Sequence, residues 1–314
     1  IFTLSQSIPK NDMKIFNGKN LKIYIGHFRR GKKVTLDFQY QEIKKVKEMI
    51  LIDKPDIVSA QWTYEFAMAT LLSKIPATIT VRDWSPEILR LTKKPYRFMR
   101  MLMSFLVYFK GKNFIPNSPY TDNKIQFLGS KKLGSIPNGI NDNLLIEKEK
   151  IFNKIDDIKL ISINNGFGER KNLKPLIEAF NELTKKYKSI RLYLLGNGFG
   201  IDEEAYKWCL EHNLLDNIEF IGKVEYKKVI EYLDVSDLMV HPALEESFGN
   251  ILVEAMARGV PVIAGENSGA VPWVVGYSGV LIDVSQKDMV INAIEKFLNN
   301  PKLLNEFSNK GYHN

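Results

Sequence analysis

The stretch EESFGNILVEAMARGVPVIAG, residues 245–265, reads as a helix start, a helix, a stop and a short strand. Ser247 suits an N-cap, Gly259 suits the position just past a helix, and Pro261 follows. The helix over 248–258 would make about three turns. The β-branched run VPVIAG then reads as a buried strand. Helix followed by buried strand is the return half of a βαβ unit. Two acids flank the helix start: Glu246 in the loop before it and Glu254 on its second turn. Taken alone, they are either two solvated carboxylates or the walls of a ligand site.

The rest of the chain repeats this alternation. Strands are expected at 21–28, 56–60, 77–83 and 112–118, with helices at 40–53 and 64–74 among them. After a charged, weakly periodic stretch at 141–157, strands are expected at 158–164, 190–196, 217–222, 237–242, 260–265 and 279–284. Helices at 172–187, 248–258 and 287–300 lie between them. This pattern predicts an α/β protein of two Rossmann-like, doubly wound domains facing across a cleft, residues 1–146 and 147–314. The length of 314 residues suits two domains.

At the helix start, the N–H groups of Phe248, Gly249 and Asn250 have no intrahelical partner and carry the positive end of the helix dipole. A phosphate would fit there. Acids beside a phosphate seat make sense only if hydroxyls must also be held, because an ionised carboxylate accepts hydrogen bonds. A sugar nucleotide offers both groups.

At this point the run resembles the E-x7-E signature of retaining, nucleotide-sugar-dependent glycosyltransferases of the GT-B fold (glycosyltransferase family 4, glycosyl transferases group 1). The likeness extends through NNGFGERKNLKPLIEAF (164–180), LYLLGNGFG (192–200), NIEFIGKV (217–224) and VSDLMVHPALEESFGN (235–250). It is looser at KPDIVSAQW, ATITVRDW, IPNSPYT and GSIPNGIN in the first half. The resemblance implies that Glu254 accepts the nucleotide ribose hydroxyls and that Glu246 sits by the donor sugar. Lys171 would neutralise the diphosphate, and Phe248, Gly249 and Asn250 would offer backbone N–H groups. Lys223 and Val224 would border the base.

There are two departures from the family pattern. Where the family often has Gly-Arg, this chain has Asn165-Gly166, and Arg170 is the candidate replacement cation. Where the family frequently has a His after the strand matching TITV, this chain has Arg82 followed by Asp83. A catalytically degenerate sugar-nucleotide-binding subunit with an active partner is therefore the alternative to an active transferase. Arg170 and Lys171 also admit a plainer reading, as the start of a solvated helix face. His241, ahead of Pro242 at a strand end, reads as a structural or supporting residue.

The implied reaction is hexosyl transfer with retention, in glycan, glycolipid or cell-surface polysaccharide synthesis. The expected partners are a nucleotide-diphosphate sugar such as a UDP- or GDP-sugar and a saccharide or lipid-linked acceptor. No cofactor is implied. No Asp-x-Asp cation site is apparent, so no metal is expected. The single Cys209 excludes an internal disulfide and suits a reducing, cytoplasmic compartment.

The net charge of +8 suits anionic partners, but no nucleic-acid-binding module accompanies it. No secretory signal or spanning segment is apparent; FMRMLMSFLVYF (98–109) is short and contains Arg100. The wider segment 93–112 mixes basic and apolar residues at helical spacing. It reads either as a core helix or as a dock on the inner face of an anionic membrane. The chain opens on Ile where a doubly wound domain would open on strand, Gly-rich turn and helix, and it stops soon after a helix. It is expected to be shortened at both ends.

Overall fold

The computed structural model describes residues 1–10, 12–29, 31–146, 150–152 and 157–313. The chain divides into two compact units, Ile1–Pro137 and Asn138–Asn314. The first ends earlier than the boundary expected after Ile146. The reason is local: Asn138 donates its side-chain N–H to Asn250 Oδ1 at 2.8 Å, and Arg258 donates to Leu144 O at 3.1 Å. Residues 138–146 thus pack with the second unit. Of the expected connection 141–157, residues 147–149 and 153–156 lie outside the described residues.

The first unit holds strands β1 (Phe2–Ser5), β2 (Met13–Asn17), β3 (Lys22–His27), β4 (Val58–Gln61), β5 (Ala77–Val81) and β6 (Phe114–Pro116). They form two three-stranded sheets, β1-β3-β2 and β4-β5-β6. This differs from one doubly wound sheet, and β2 runs antiparallel to β3. Both β1 and β2 are strands that the periodicity did not single out. Helices α1 (Tyr40–Asp53), α2 (Glu65–Ser73) and α3 (Pro95–Lys110) pack with these sheets around a core that includes Tyr24, Met49, Ile79, Met103 and Phe114.

Arg100 on α3 is turned inward. Its guanidinium stacks on Tyr64 at 3.6 Å, donates to the Tyr96 hydroxyl at 2.6 Å and approaches Glu65 at 3.8 Å. A half-buried cation in an apolar helix is thereby paired.

The second unit is one parallel sheet ordered β12-β11-β10-β7-β8-β9, from β7 (Lys159–Ile163), β8 (Arg191–Leu195), β9 (Ile218–Gly222), β10 (Leu238–His241), β11 (Val262–Gly265) and β12 (Val280–Ile282). Strands β10 and β11 are buried along their whole length, which explains their unbroken apolar runs. Helix α4 (Leu173–Lys186) buries Leu173, Leu176, Ile177, Phe180 and Leu183, one stripe at helical spacing. The remaining helices that matter here are α5 (Tyr226–Val235), α6 (Asn250–Ala257), α7 (Lys287–Leu298) and α8 (Pro301–Tyr312). Helix α8 lies beyond the last helix expected at 287–300. Asn300 caps it, accepting from the Lys302 N–H at 3.2 Å.

The strand order creates a switch point. The chain leaves β7 outward to β8 and β9, then returns to β10 on the other side of β7. Loops after β7 and β10 therefore part in opposite directions. In parallel α/β sheets this is where a ligand crevice opens.

Candidate functional site

A cavity of about 380 Å³ opens at that switch point, entirely within the second unit. Its walls come from the ends of β7 (Asn164, Asn165) and β10 (His241), and from the first turns of α5 (Tyr226) and α6 (Asn250, Ile251). Lys171, Lys223, Val224, Glu246, Gly249 and Glu254 also line it. Seven of the expected site residues, which are scattered over 171–254 in sequence, thus meet in one space.

Its deep end is an ionic cluster. The Lys171 ammonium donates to Glu246 Oε1. The His241 Nε2 stands 3.6 Å from the same oxygen. Burial opposes ionisation of Glu246, but contact with His241 and the charges of Lys171 and Arg170 outweigh it and hold the carboxyl far below the usual range. The pKa of the fully enclosed His241 is lowered too: burial lowers it against the pull of Glu246, and Lys171 and Arg170 lower it further. Burial thus favours the neutral ring, which stands beside the carboxylate without a hydrogen bond to it. The charge that balances Glu246 is Lys171.

Arg170 stands outside the cavity wall. It donates from Nη1 to the Glu245 carbonyl at 3.0 Å and to Glu245 Oε2 at 3.2 Å, while its own carbonyl accepts from the Leu244 N–H at 2.9 Å. It clamps the loop that carries Glu246. Gly166 is likewise not a wall residue; its N–H donates to the Asn197 carbonyl at 2.8 Å and ties the loops after β7 and β8 together. Asn172, which drew no attention in the sequence, adopts a left-handed conformation ahead of α4. Its side-chain N–H groups reach Pro242 O at 3.1 Å and Val284 O at 3.0 Å. Asn tolerates that conformation better than most residues, and this is the only signal it offered.

The helix start sits later than expected. Gly249, at φ +89°, is the N-cap in place of Ser247, and α6 begins at Asn250. A left-handed residue turns the chain one step further before the helix can begin. The outward N–H groups of the first turn accordingly belong to Asn250 and Ile251. Phe248 lies outside that turn, buried against Trp273 with ring centroids 6.0 Å apart. Gly259 does follow the helix with positive φ, as expected.

The outer end holds Glu254 with Tyr226. Burial raises the Glu254 pKa, partly countered by the Tyr226 hydroxyl. Tyr226 is pushed up to about 12 by burial and by the facing carboxylate. Lys223 and Val224 adjoin this end. In the first unit, Arg82 follows β5 and donates from Nε to Gln61 Oε1 at 2.6 Å, with its guanidinium 5.8 Å from the Trp62 ring. Among the described residues, no group of three or more His, Cys, Asp and Glu side chains could hold a metal. None of their helices is long and apolar enough to cross a membrane.

The sequence profile of the family described as Glycosyl transferases group 1 matches residues 146–314, more than half the chain. The chain belongs to this family of glycosyltransferases. The capsular polysaccharide biosynthesis glycosyltransferase CapM of Staphylococcus aureus is 25% identical over 350 residues, covering 99% of this chain and 90% of CapM. Among solved structures, the sucrose-phosphate synthase from Thermosynechococcus elongatus superposes with a TM-score of 0.78 at 17% identity, over 99% of this chain and 83% of the synthase. Anabaena HepE in complex with UDP-glucose gives 0.71 at 19% identity, over 99% of this chain and 93% of HepE. These structural likenesses establish the fold, which is GT-B. The α/β glycosyltransferase expected from the motifs is thus the protein found.

Proposed function

We propose that this glycosyltransferase moves a hexose from a nucleotide-diphosphate sugar to an acceptor with retention of anomeric configuration and without a metal ion. One observation carries the reading: Lys171, Glu246 and Glu254 line a single cavity beside the start of α6. Glu254, with Tyr226, receives the ribose hydroxyls, and Lys223 with Val224 borders the base. Lys171 and the N–H groups of Asn250 and Ile251 receive the diphosphate, a charge pattern that matches an anion at a helix N-terminus. Gly249 lets the diphosphate approach.

Glu246 and neutral His241 face the transferred sugar. Phe248, Gly166 and Arg170 act from behind, shaping the helix start and the two loops. In the reaction the bond from the anomeric carbon to the diphosphate oxygen breaks, and its electron pair leaves with the diphosphate. The acceptor oxygen bonds to the same face of that carbon and gives its proton to the departing oxygen. Positive charge from Lys171 and the helix start stabilises the leaving group.

The acceptor is a saccharide or lipid-linked sugar of a surface polysaccharide, in keeping with the name of CapM. Transfer takes place on the cytoplasmic side, at an anionic membrane face.

The test is nucleotide release from UDP- and GDP-sugars, with the product anomer read by NMR. Lys171→Ala is expected to lower kcat about 10²–10³-fold. Glu254→Ala should raise donor KM about tenfold or more while changing kcat less, as expected when one hydrogen-bonded charge is removed. Activity should survive EDTA. Unchanged kinetics in both variants would overturn the assignment, and donor-dependent thermal stabilisation without turnover would indicate a binding-only subunit.

A further inference from the structure

Helix α3 has two apolar faces, where a helix packed on one side needs one. Met99, Met103 and Val107 face the core of the first unit. Phe98, Leu102, Phe105, Leu106 and Phe109 are exposed, Phe109 at 82%. The outward stripe continues to either side. Phe105 stacks on exposed Phe127, with centroids 6.5 Å apart and 24° between planes. Leu106 joins Phe38 and Leu72 in the wall of a shallow apolar hollow of about 440 Å³.

The charge around this surface is mostly basic. Lys93 and Lys94 precede the helix, Arg97 lies in its first turn, and Lys110 and Lys112 close it. Lys44 and Lys47 line the hollow. The Lys131 ammonium sits over the helix end, donating to the Tyr108 and Phe109 carbonyls at 3.3 and 3.2 Å. Helix α3 itself contains no acid. The nearby acids are engaged: Asp37 and buried Glu42 share Arg29 at 2.7 and 2.6 Å, Glu48 lies 4.0 Å from Lys44, and Glu65 is buried beside Arg100. A contiguous aromatic surface inside a basic rim is costly in water and complementary to a negatively charged, apolar-cored partner.

We infer that this face docks on an anionic lipid bilayer, with its aromatic side chains at the headgroup–acyl boundary and its lysines on the lipid phosphates. The inference deepens the membrane part of the proposed function. It uses no residue of the donor cavity, so the two can fail separately.

The purified full chain is sedimented with vesicles of mixed phosphatidylglycerol and phosphatidylcholine, and with phosphatidylcholine alone. Binding is expected only to the anionic vesicles and should weaken as salt rises. Phe105→Ser/Phe109→Ser should lower the partition coefficient at least about tenfold, since two apolar anchors are lost. Lys110→Glu/Lys112→Glu should lower it by a similar factor, roughly 10-fold, and flatten the salt dependence. UDP- or GDP-sugar hydrolysis in solution should be unchanged in both variants, which shows that the fold and the donor cavity are intact.

A second readout uses an environment-sensitive dye on Phe109→Cys, which is selective because the native Cys209 is buried. Its emission should shift blue with anionic vesicles. Absence of sedimentation at low salt, equal binding by the Phe105→Ser/Phe109→Ser variant, or an unshifted dye would each overturn the inference. A dimer abolished by the same variant would assign the face to a second copy of the chain.

Discussion

At the residue scale, Glu246 and Glu254 have the same side chain in opposite settings. Glu246 is ionised because its contacts outweigh burial, whereas Glu254 is half-buried with only a hydroxyl to compensate. A carboxyl whose folded pKa is raised binds its proton more tightly folded than unfolded. Stability is therefore lost as pH rises from the ordinary carboxylate range through that raised value. Once ionised, Glu254 is a cost to the empty protein. Glu254→Gln is thus expected to raise Tm without ligand while weakening donor binding, as differential scanning fluorimetry with and without UDP- or GDP-sugars would measure. Donor affinity of the native protein should fall as pH drops toward that raised value, and the slope should vanish in Glu254→Gln. Glu246 has the opposite sign. Its lowered pKa gives stability that is present above the ordinary range and disappears only in strong acid.

At the scale of elements, the site depends on two turns. Gly249 delays the helix start, and Gly269 holds the loop carrying Glu246. Gly269 adopts φ +69°, and a Cβ there would come within 2.3 Å of the Glu246 carbonyl oxygen. That carbonyl also accepts from the Ala270 N–H at 2.8 Å. Gly269→Ala must therefore push the Glu246 backbone aside as well as occupy a left-handed conformation, which alone costs about 1–2 kcal/mol. It should lower Tm and reduce kcat more than tenfold, roughly the scale of a displaced catalytic group. Normal turnover in a folded Gly269→Ala protein would show that the loop position is immaterial.

At the scale of the whole molecule, the two units have separate cores. The first centres on residues such as Met49, Ile79 and Phe114, and the second on residues such as Leu176, Phe180 and Leu238. Every wall residue of the cavity at the switch point belongs to the second. Calorimetry is expected to resolve two transitions, and nucleotide sugar should raise only one of them. A ligand at 100 times its Kd adds about 2.7 kcal/mol to the part it binds. Equal shifts in both transitions would place part of the donor site in the first unit.

The sequence by itself determined the α/β class, the ten strands it marked and the motifs whose residues line the cavity of the second unit. Those signals are local: β-branched runs, amphipathic stripes, a glycine after a helix and two acids at a set spacing. Helix 40–53 was legible to the residue for that reason. The split of the first unit into two sheets was not legible, because strand pairing is decided by partners far apart in the chain. Nor was the shift from Ser247 to Gly249, since both residues suit a cap and only backbone geometry chooses between them. His241 and Arg170 changed most. Their sequence context allowed many roles, and only tertiary structure brought the ring to 3.6 Å from Glu246 and turned the guanidinium onto Glu245. Charge and burial act through space, so the ionisation of Glu246 and of Glu254 was settled by the fold.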